Sequence, residues 1–216
     1  MPPAQRRPAR HLVIFALAPR LGRVKRRLAA DLGALAALRF HRLNTQVLLR
    51  RLSGDPRWTT WLAVTPDQGA RETAAIWRHR GPLLAQGGGD LGARMDRVLR
   101  WLPPGPVVIV GSDIPGIDPA RVAAAFGALG RADFVLGPAA DGGYWLIGAR
   151  RRPTVHLPFV GVRWGGAQAL ADTRANMAGT VVLLDELQDV DTAADLARVD
   201  SAAWTRLVTP PRRDAP

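Results

Sequence analysis

The chain has 216 residues, 47% of them hydrophobic, and a formal charge of +12 from 30 Lys and Arg against 18 Asp and Glu. This length suits a single domain with a sizeable core, and the absence of cysteine excludes disulfides, thiolate-bound metal and thiol catalysis. The basicity is almost all arginine, with Lys25 the only lysine, and no aromatic-interleaved basic module accompanies it, so anionic small molecules rank ahead of nucleic acid as partners.

In chain order, residues 1–10 read as a disordered tail. HLVIFALAP then reads as a buried strand. Arg6-Arg7 before it and Ala16-Leu17-Ala18 within it imitate a secretory signal, but the apolar run is short and continues directly into patterned sequence. A first core strand of a cytoplasmic protein accounts for the same residues. No stretch is long enough to cross a bilayer, so no membrane partner is expected. RLGRVKRRLAADLG is a basic turn that crowds Arg20, Arg23, Lys25, Arg26 and Arg27 around the bend that Gly22 permits. A helix is predicted over about 34–52, with an apolar stripe through Leu35, Leu38, Val47 and Leu48. TTWLAVTPD reads as a strand, GARETAAIWRHR as a helix and PLLAQ as a short strand. GGGDLGARMDRVLRWL is a glycine turn opening a helix, which Pro103-Pro104-Gly105-Pro106 ends.

The centre of the chain, 106–148, carries the chemistry. PVVIVG has the β-branched run of a strand buried on both faces. It breaks at Ser112-Asp113-Ile114-Pro115-Gly116, which puts Asp113 at the strand's carboxyl end, the edge where open parallel α/β sheets bind ligands. Asp118-Pro119 reads as an N-cap with proline at the first helical position. DFVLG is the next strand. PAADGGY then places Asp141 on a loop whose glycines, Gly142 and Gly143, allow backbone shapes a side chain forbids, before a further strand. Two carboxylates at neighbouring strand ends suit Mg²⁺ or Mn²⁺, which take one or two carboxylates and complete their shell with water and substrate phosphate. The plainer alternative is that Asp113 caps a turn and Asp141 sits in a solvated loop.

Beyond Gly148, ARRRPTVHLPFVGVRWGG reads as an irregular crossing segment. AQALADTRANMAG is a helix, VVLLDEL a strand, and DTAADLARV a helix capped by Asp191-Thr192 with Asp195 in its first turn. Residues 209–216 are a second tail, leaving one domain over 11–208. Of the acidic cluster Asp185, Glu186, Asp189 and Asp191, the last is read as the cap, with a share in a metal or acceptor site as the alternative. The histidines His11, His41, His79 and His156 lack metal-ligand spacing.

Two loops invite comparison with phosphate sites. The basic turn after the first strand is well placed for phosphate, though G-x-x-x-x-G-K-[ST] is absent. Gly87, Gly89 and Gly92 match G-x-G-x-x-G, with Asp113 in place of the ribose-binding acid. A dinucleotide enzyme is therefore a rival reading. Against it, about 85 residues of α/β chain precede a motif that normally opens the first βαβ unit.

Together these segments resemble a known family. FALAPRLGRVKRRL, the Gly89–Met95 segment GDLGARM, GSDIPG, GPAADGGYWLIG and the Asp189–Leu196 segment DVDTAADL match the pattern of the radical-SAM/selenodomain-associated transferases, family 1, between Leu12 and Val199. Those proteins are grouped with GT-A nucleotide-diphospho-sugar transferases. The chain is more distantly similar to 2-phospho-L-lactate guanylyltransferase and molybdenum-cofactor guanylyltransferase. The resemblance implies a GT-A-like, Rossmann-like α/β three-layer sandwich on a central, mostly parallel mixed sheet. It also implies a metal-dependent glycosyl transfer from a nucleotide sugar to a small acceptor. Nucleotidyl transfer from a nucleoside triphosphate is the alternative, and a non-catalytic nucleotide or RNA binder ranks lower.

On that basis Arg20, Gly22, Arg23, Lys25 and Arg27 hold the phosphates, and Gly89, Asp90, Leu91 and Gly92 pack beside the nucleoside. Asp113 and Asp141 hold Mg²⁺ or Mn²⁺, with Asp141 alternatively acting as base. Gly142, Gly143, Tyr144 and Trp164 face the substrate. Two positions depart from the family pattern. Leu17 stands where it has lysine and Arg26 where it has threonine, which removes one phosphate-binding cation unless Arg20, Arg23 or Arg26 replaces it.

Overall fold

The computed structural model describes residues 9–151 and 157–199. The C-terminal tail, His156, the end of the expected domain and all but two residues of the N-terminal tail lie outside them. In chain order the elements are β1 (His11–Leu17), α1 (Arg26–Leu32), α2 (Ala34–Leu52), β2 (Thr59–Thr65), α3 (Ala70–Ile76), β3 (Leu83–Ala85) and α4 (Leu91–Trp101). There follow β4 (Val107–Gly111), α5 (Pro119–Ala128), β5 (Phe134–Pro138), β6 (Tyr144–Ala149), α6 (Ala169–Ala175), β7 (Val181–Leu183) and α7 (Ala193–Arg198).

Unbroken burial along Leu12, Val13 and Ile14 makes β1 an interior strand. It pairs in parallel with β2 on one side and β4 on the other, and the described sheet runs β3-β2-β1-β4-β6-β5-β7. Only β6 is antiparallel to its neighbours β4 and β5. Alternate side chains serve opposite layers. Leu12, Ile14, Leu62, Val64 and Val110 pack under α2, α3 and α5 through Leu48, Leu52, Trp77 and Phe126. Val13, Ala63, Ile109 and Leu136 pack under α4 and α6 through Met95, Val98, Leu99 and Leu170. The architecture is the α/β three-layer sandwich on a mostly parallel mixed sheet that the sequence predicts.

Local signals hold where side chains cap their own helix. Asp90 accepts from Ala93 N–H at 2.8 Å and Asp118 from Arg121 N–H at 2.9 Å, with Pro119 in the first turn of α5. Three expectations change. Helix α1 stands within what reads as a basic turn; it is only seven residues long, too short for a periodic stripe, and Gly33 at φ 87 ends it. The strand expected over VVLLDEL pairs only at Val181–Leu183, with one further bridge from Leu187 to Ala139. The dinucleotide reading also fails on topology. The glycine turn follows the edge strand β3, and β2 and β1 lie between it and the strand carrying Asp113, whereas that fingerprint needs the acid on the adjacent strand.

Candidate active site

Strands β1 and β4 end side by side, and antiparallel β6 brings its first residue, Tyr144, to the same edge. A cleft of about 350 Å³ opens there. Its acidic wall is Asp113, Asp141, Asp189 and Asp191, with Arg27 beside them; Leu91, Gly143, Tyr144 and Trp164 line the remainder. Arg20, Gly22, Arg23, Lys25, Gly89, Asp90, Gly92 and Gly142 do not line it.

The Asp113 corner is held by distant parts of the chain. Helix α2 presents His41, Asn44 and Arg51, all near the face that buries Leu48. Asn44 Nδ2 donates to the Ser112 carbonyl at 2.6 Å, and Arg51 Nη1 donates to the carbonyls of Pro115 at 3.0 Å and Ile117 at 3.4 Å. His41 Nε2 lies 2.7 Å from the Leu17 carbonyl, so that nitrogen is the donor, and Nδ1 lies 3.6 Å from Asp113 Oδ1. Asp113 Oδ2 is 3.2 Å from Lys25 Nζ. The Asp113 side chain is 51% exposed on the cleft side and closely surrounded elsewhere. That crowding pushes its carboxyl up. The neighbouring His41 ring and the Lys25 charge more than offset it and hold the group at about 2.

Lys25 is the other half of this corner. Its side chain is 4% exposed, and Nζ also sits 2.9 Å from Asp191 Oδ1. Burial works against its charge, but the two carboxylates prevail and raise its pKa. Arg27 Nη1 approaches Asp191 Oδ2 at 3.6 Å. Asp191 is therefore not the helix cap that its position suggests. Thr192 caps α7, in a capping box with Asp195, and the Asp191 side chain is released toward Lys25 and Arg27.

The Asp141 corner makes its own shape. Asp141 Oδ1 accepts the Gly143 N–H at 2.8 Å, a turn closed within two residues. Gly142 takes φ 83, and a Cβ there would lie 2.4 Å from the Ala167 carbonyl oxygen. The close approach that its glycine permits is thus to the chain before α6. Burial raises the Asp189 carboxyl pKa, and the charges of Asp141 and Asp191 push it further the same way.

Aromatic side chains form the opposite wall. Trp164 meets Tyr144 edge-on at 6.4 Å between centroids and Phe159 at 6.2 Å. Gly92 seats Trp164, since a Cβ there would lie 2.8 Å from the indole. Burial pushes the Tyr144 hydroxyl well above the usual phenol range, with nearby Thr173 pulling the other way. The glycine turn is latched from outside: Asp67 accepts from Gln86 N–H at 2.7 Å and Gly87 N–H at 2.9 Å.

Sequence reasoning misses His41, Asn44, Arg51 and Asp67. The available signal is polar residues at 41, 44 and 45 on the buried side of α2, where apolar residues are expected.

Among the described residues no three His, Asp or Glu side chains form a preformed metal cluster. Two carboxylates nevertheless converge on one point, Lys25 Nζ, and hard oxygen donors in that number fit Mg²⁺ or Mn²⁺ bound together with a phosphate-bearing substrate.

Comparison with known proteins adds the following. Residues 48–166 match the family described as "Uncharacterized protein conserved in bacteria (DUF2064)". A crystal structure from Desulfovibrio desulfuricans G20, described provisionally as a nucleotide-diphospho-sugar transferase, aligns with TM-score 0.84 at 29% identity over 92% of this chain and 93% of that one. The 4-diphosphocytidyl-2C-methyl-D-erythritol synthase of Anaerococcus prevotii DSM 20548 aligns with TM-score 0.60 at 10% identity, over 88% of this chain and 93% of its own. The inositol-1-phosphate CTP transferase of T. maritima aligns with TM-score 0.55 at 11% identity, over 92% and 95%. Both of these show the shared fold. No curated protein matches the sequence.

Proposed function

The chain belongs to the DUF2064 family of bacterial proteins, and from that premise we propose that it is a metal-dependent transferase moving a sugar from a nucleotide-diphospho-sugar to a small hydroxyl-bearing acceptor. The observation that carries this reading is the acidic wall of one cleft at the sheet's ligand edge, where Asp113 and Asp191 share a single cation position. The relative from Desulfovibrio desulfuricans, alike over nearly the whole chain, supports the substrate class. The radical-SAM/selenodomain branch of such transferases is the specific affiliation we propose.

In this mechanism Asp113 and Asp191 are the metal ligands, with Asp141 the further candidate beside them. When bound, the metal supplies Lewis acidity toward the diphosphate leaving group. Arg27, on the same wall, balances phosphate charge, while Arg20, Arg23 and Arg26 are exposed on the turn and the first residue of α1. Leu91, which alone of the Gly89–Gly92 segment lines the cleft, faces the nucleoside, and Tyr144 and Trp164 wall off water from the sugar. The acceptor oxygen attacks the anomeric carbon as the bond to the diphosphate oxygen breaks. That oxygen keeps the electron pair. The acceptor's proton passes to Asp141, whose Oδ2 is left free by the Gly143 hydrogen bond to Oδ1.

Nucleotidyl transfer is the second reading, because one cation position beside a cationic helix start serves attack on an α-phosphate equally well. The test is incubation with nucleotide sugars and, separately, with nucleoside triphosphates, in Mg²⁺ or Mn²⁺, scoring the leaving group. Release of nucleoside diphosphate supports sugar transfer, and release of pyrophosphate replaces it with nucleotidyl transfer. Metal-independent turnover of either substrate overturns both.

A further inference from the structure

We propose that Lys25 is an exchangeable internal cation: its ammonium holds the Asp113–Asp191 pair in the metal-free protein, and a divalent ion binds by displacing it. This rests on the metal site of the transferase reading and adds to it a coupling between metal entry and the phosphate-side lysine.

The geometry leaves one position for two cations. Nζ lies 3.2 Å from Asp113 Oδ2 and 2.9 Å from Asp191 Oδ1. An ion ligated by those same oxygens at about 2.1 Å would be pressed against the ammonium. Like charges at that separation repel strongly, the more so with a side chain almost wholly withdrawn from water. Asp113 and Asp191 therefore bind Lys25 or the ion, one at a time.

The backbone points the same way. Lys25 sits at φ 45 and ψ 57, the left-handed region that a residue with a Cβ occupies at a cost, and in that conformation its side chain reaches both carboxylates. Val24 and Leu28 on either side are 2% and 0% exposed. Exchange thus requires the lysine side chain to swing out while the chain around it stays anchored. The released ammonium emerges at the start of α1, two residues from Arg27 on the cleft wall. Metal entry would then deliver a second cation to the phosphates at the moment they arrive.

Lys25 is the only lysine in the chain, so amine modification reports on this one side chain beside the α-amine. The full-length protein is treated with an amine-acylating reagent in EDTA and in saturating Mg²⁺, and acylation of the Lys25 peptide is followed by mass. We expect slow acylation in EDTA and at least about tenfold faster acylation with Mg²⁺ alone, because burial and ion pairing protect the amine only in the metal-free state. Asp191→Asn should acylate fast without metal. By calorimetry, Lys25→Met should bind Mg²⁺ at least about tenfold more tightly than the wild type, having lost the competing charge.

Acylation unchanged or slowed by Mg²⁺, with calorimetry showing the ion bound, overturns the exchange and leaves the transferase reading standing. Absence of Mg²⁺ binding to both wild type and Lys25→Met overturns exchange and metal site together. Metal-released Lys25 in a protein that turns over no nucleotide substrate removes the reaction and keeps the exchange.

Discussion

The two acidic corners of the cleft are built by opposite means. The Asp141 carboxylate is turned by its own loop, closing on Gly143 two residues on, although the loop's backbone is also tied to Leu170 and Leu187. Asp113 is placed by parts of the chain far away in sequence. Asn44 reaches Ser112 across 68 residues, Arg51 reaches Pro115 across 64, and Lys25 ties the corner to Asp191, 166 residues beyond it. A turn closed locally has its shape once the glycines allow it. A corner held by α2 and by Lys25 just before α1 forms only when these distant segments have packed together. The contrast teaches that the Asp113 carboxylate is oriented by tertiary contacts, whereas the Asp141 carboxylate is oriented by a hydrogen bond within its own loop.

Four measurements test that contrast. The largest effect is expected from Asp113→Asn, which keeps the size and shape of the side chain and removes the charge. Mg²⁺-dependent nucleotide binding should fall by at least about 100-fold, with an unchanged far-UV spectrum, as for the loss of a direct metal ligand. Unchanged affinity by calorimetry removes Asp113 from the metal site.

Next is Gly142→Ala, which tests whether the Asp141 corner is local in its packing as well as its hydrogen bond. The positive φ and the approach to Ala167 predict a loss of about 3 kcal/mol in urea unfolding. A loss below about 0.5 kcal/mol would show that the loop and the segment before α6 adjust together.

Asn44→Ala leaves the Ser112 carbonyl without its side-chain donor in a buried place, and about 1–3 kcal/mol of stability should go with it. Mg²⁺ affinity should weaken in parallel. A stability loss with metal affinity intact would mean that α2 supports the fold but does not position Asp113.

The smallest effect concerns pH. The Asp113 carboxyl is depressed in the folded protein to about 2, so its contribution is complete above the unfolded carboxylate pKa and declines as pH falls toward the folded value. Wild-type stability should therefore drop between about pH 4 and pH 2 more steeply than that of Asp113→Asn. The difference is modest, because the carboxylate is half open to solvent. Identical acid profiles would show that Lys25 and His41 do not stabilise its charge.

Much of the fold is legible in the residues themselves. A β-branched run marks β4 and short apolar runs mark β1 and β5, and the bounds predicted for α2 match Ala34–Leu52. Asp118-Pro119 and Thr192 mark helix starts, because a cap bonds within three residues of itself. The acidic loops after β4 and β5 are legible too, since a strand's end is written in its own sequence.

Other features carry no such mark. Helix α1 has one buried residue, Leu28, and so no stripe to read. His41, Asn44 and Arg51 look like ordinary polar residues until α2 lies against the loop after β4. Asp191 looks like a cap until α7 swings beside α1 and offers its carboxylate to Lys25. The strands, the helix caps and the presence of carboxylates at the strand ends are written in the residues, because all of them depend on neighbours a few positions away. Which carboxylates share the Lys25 ammonium, and which side chains hold them, is settled by packing, because those contacts join segments that meet only after the sheet has assembled.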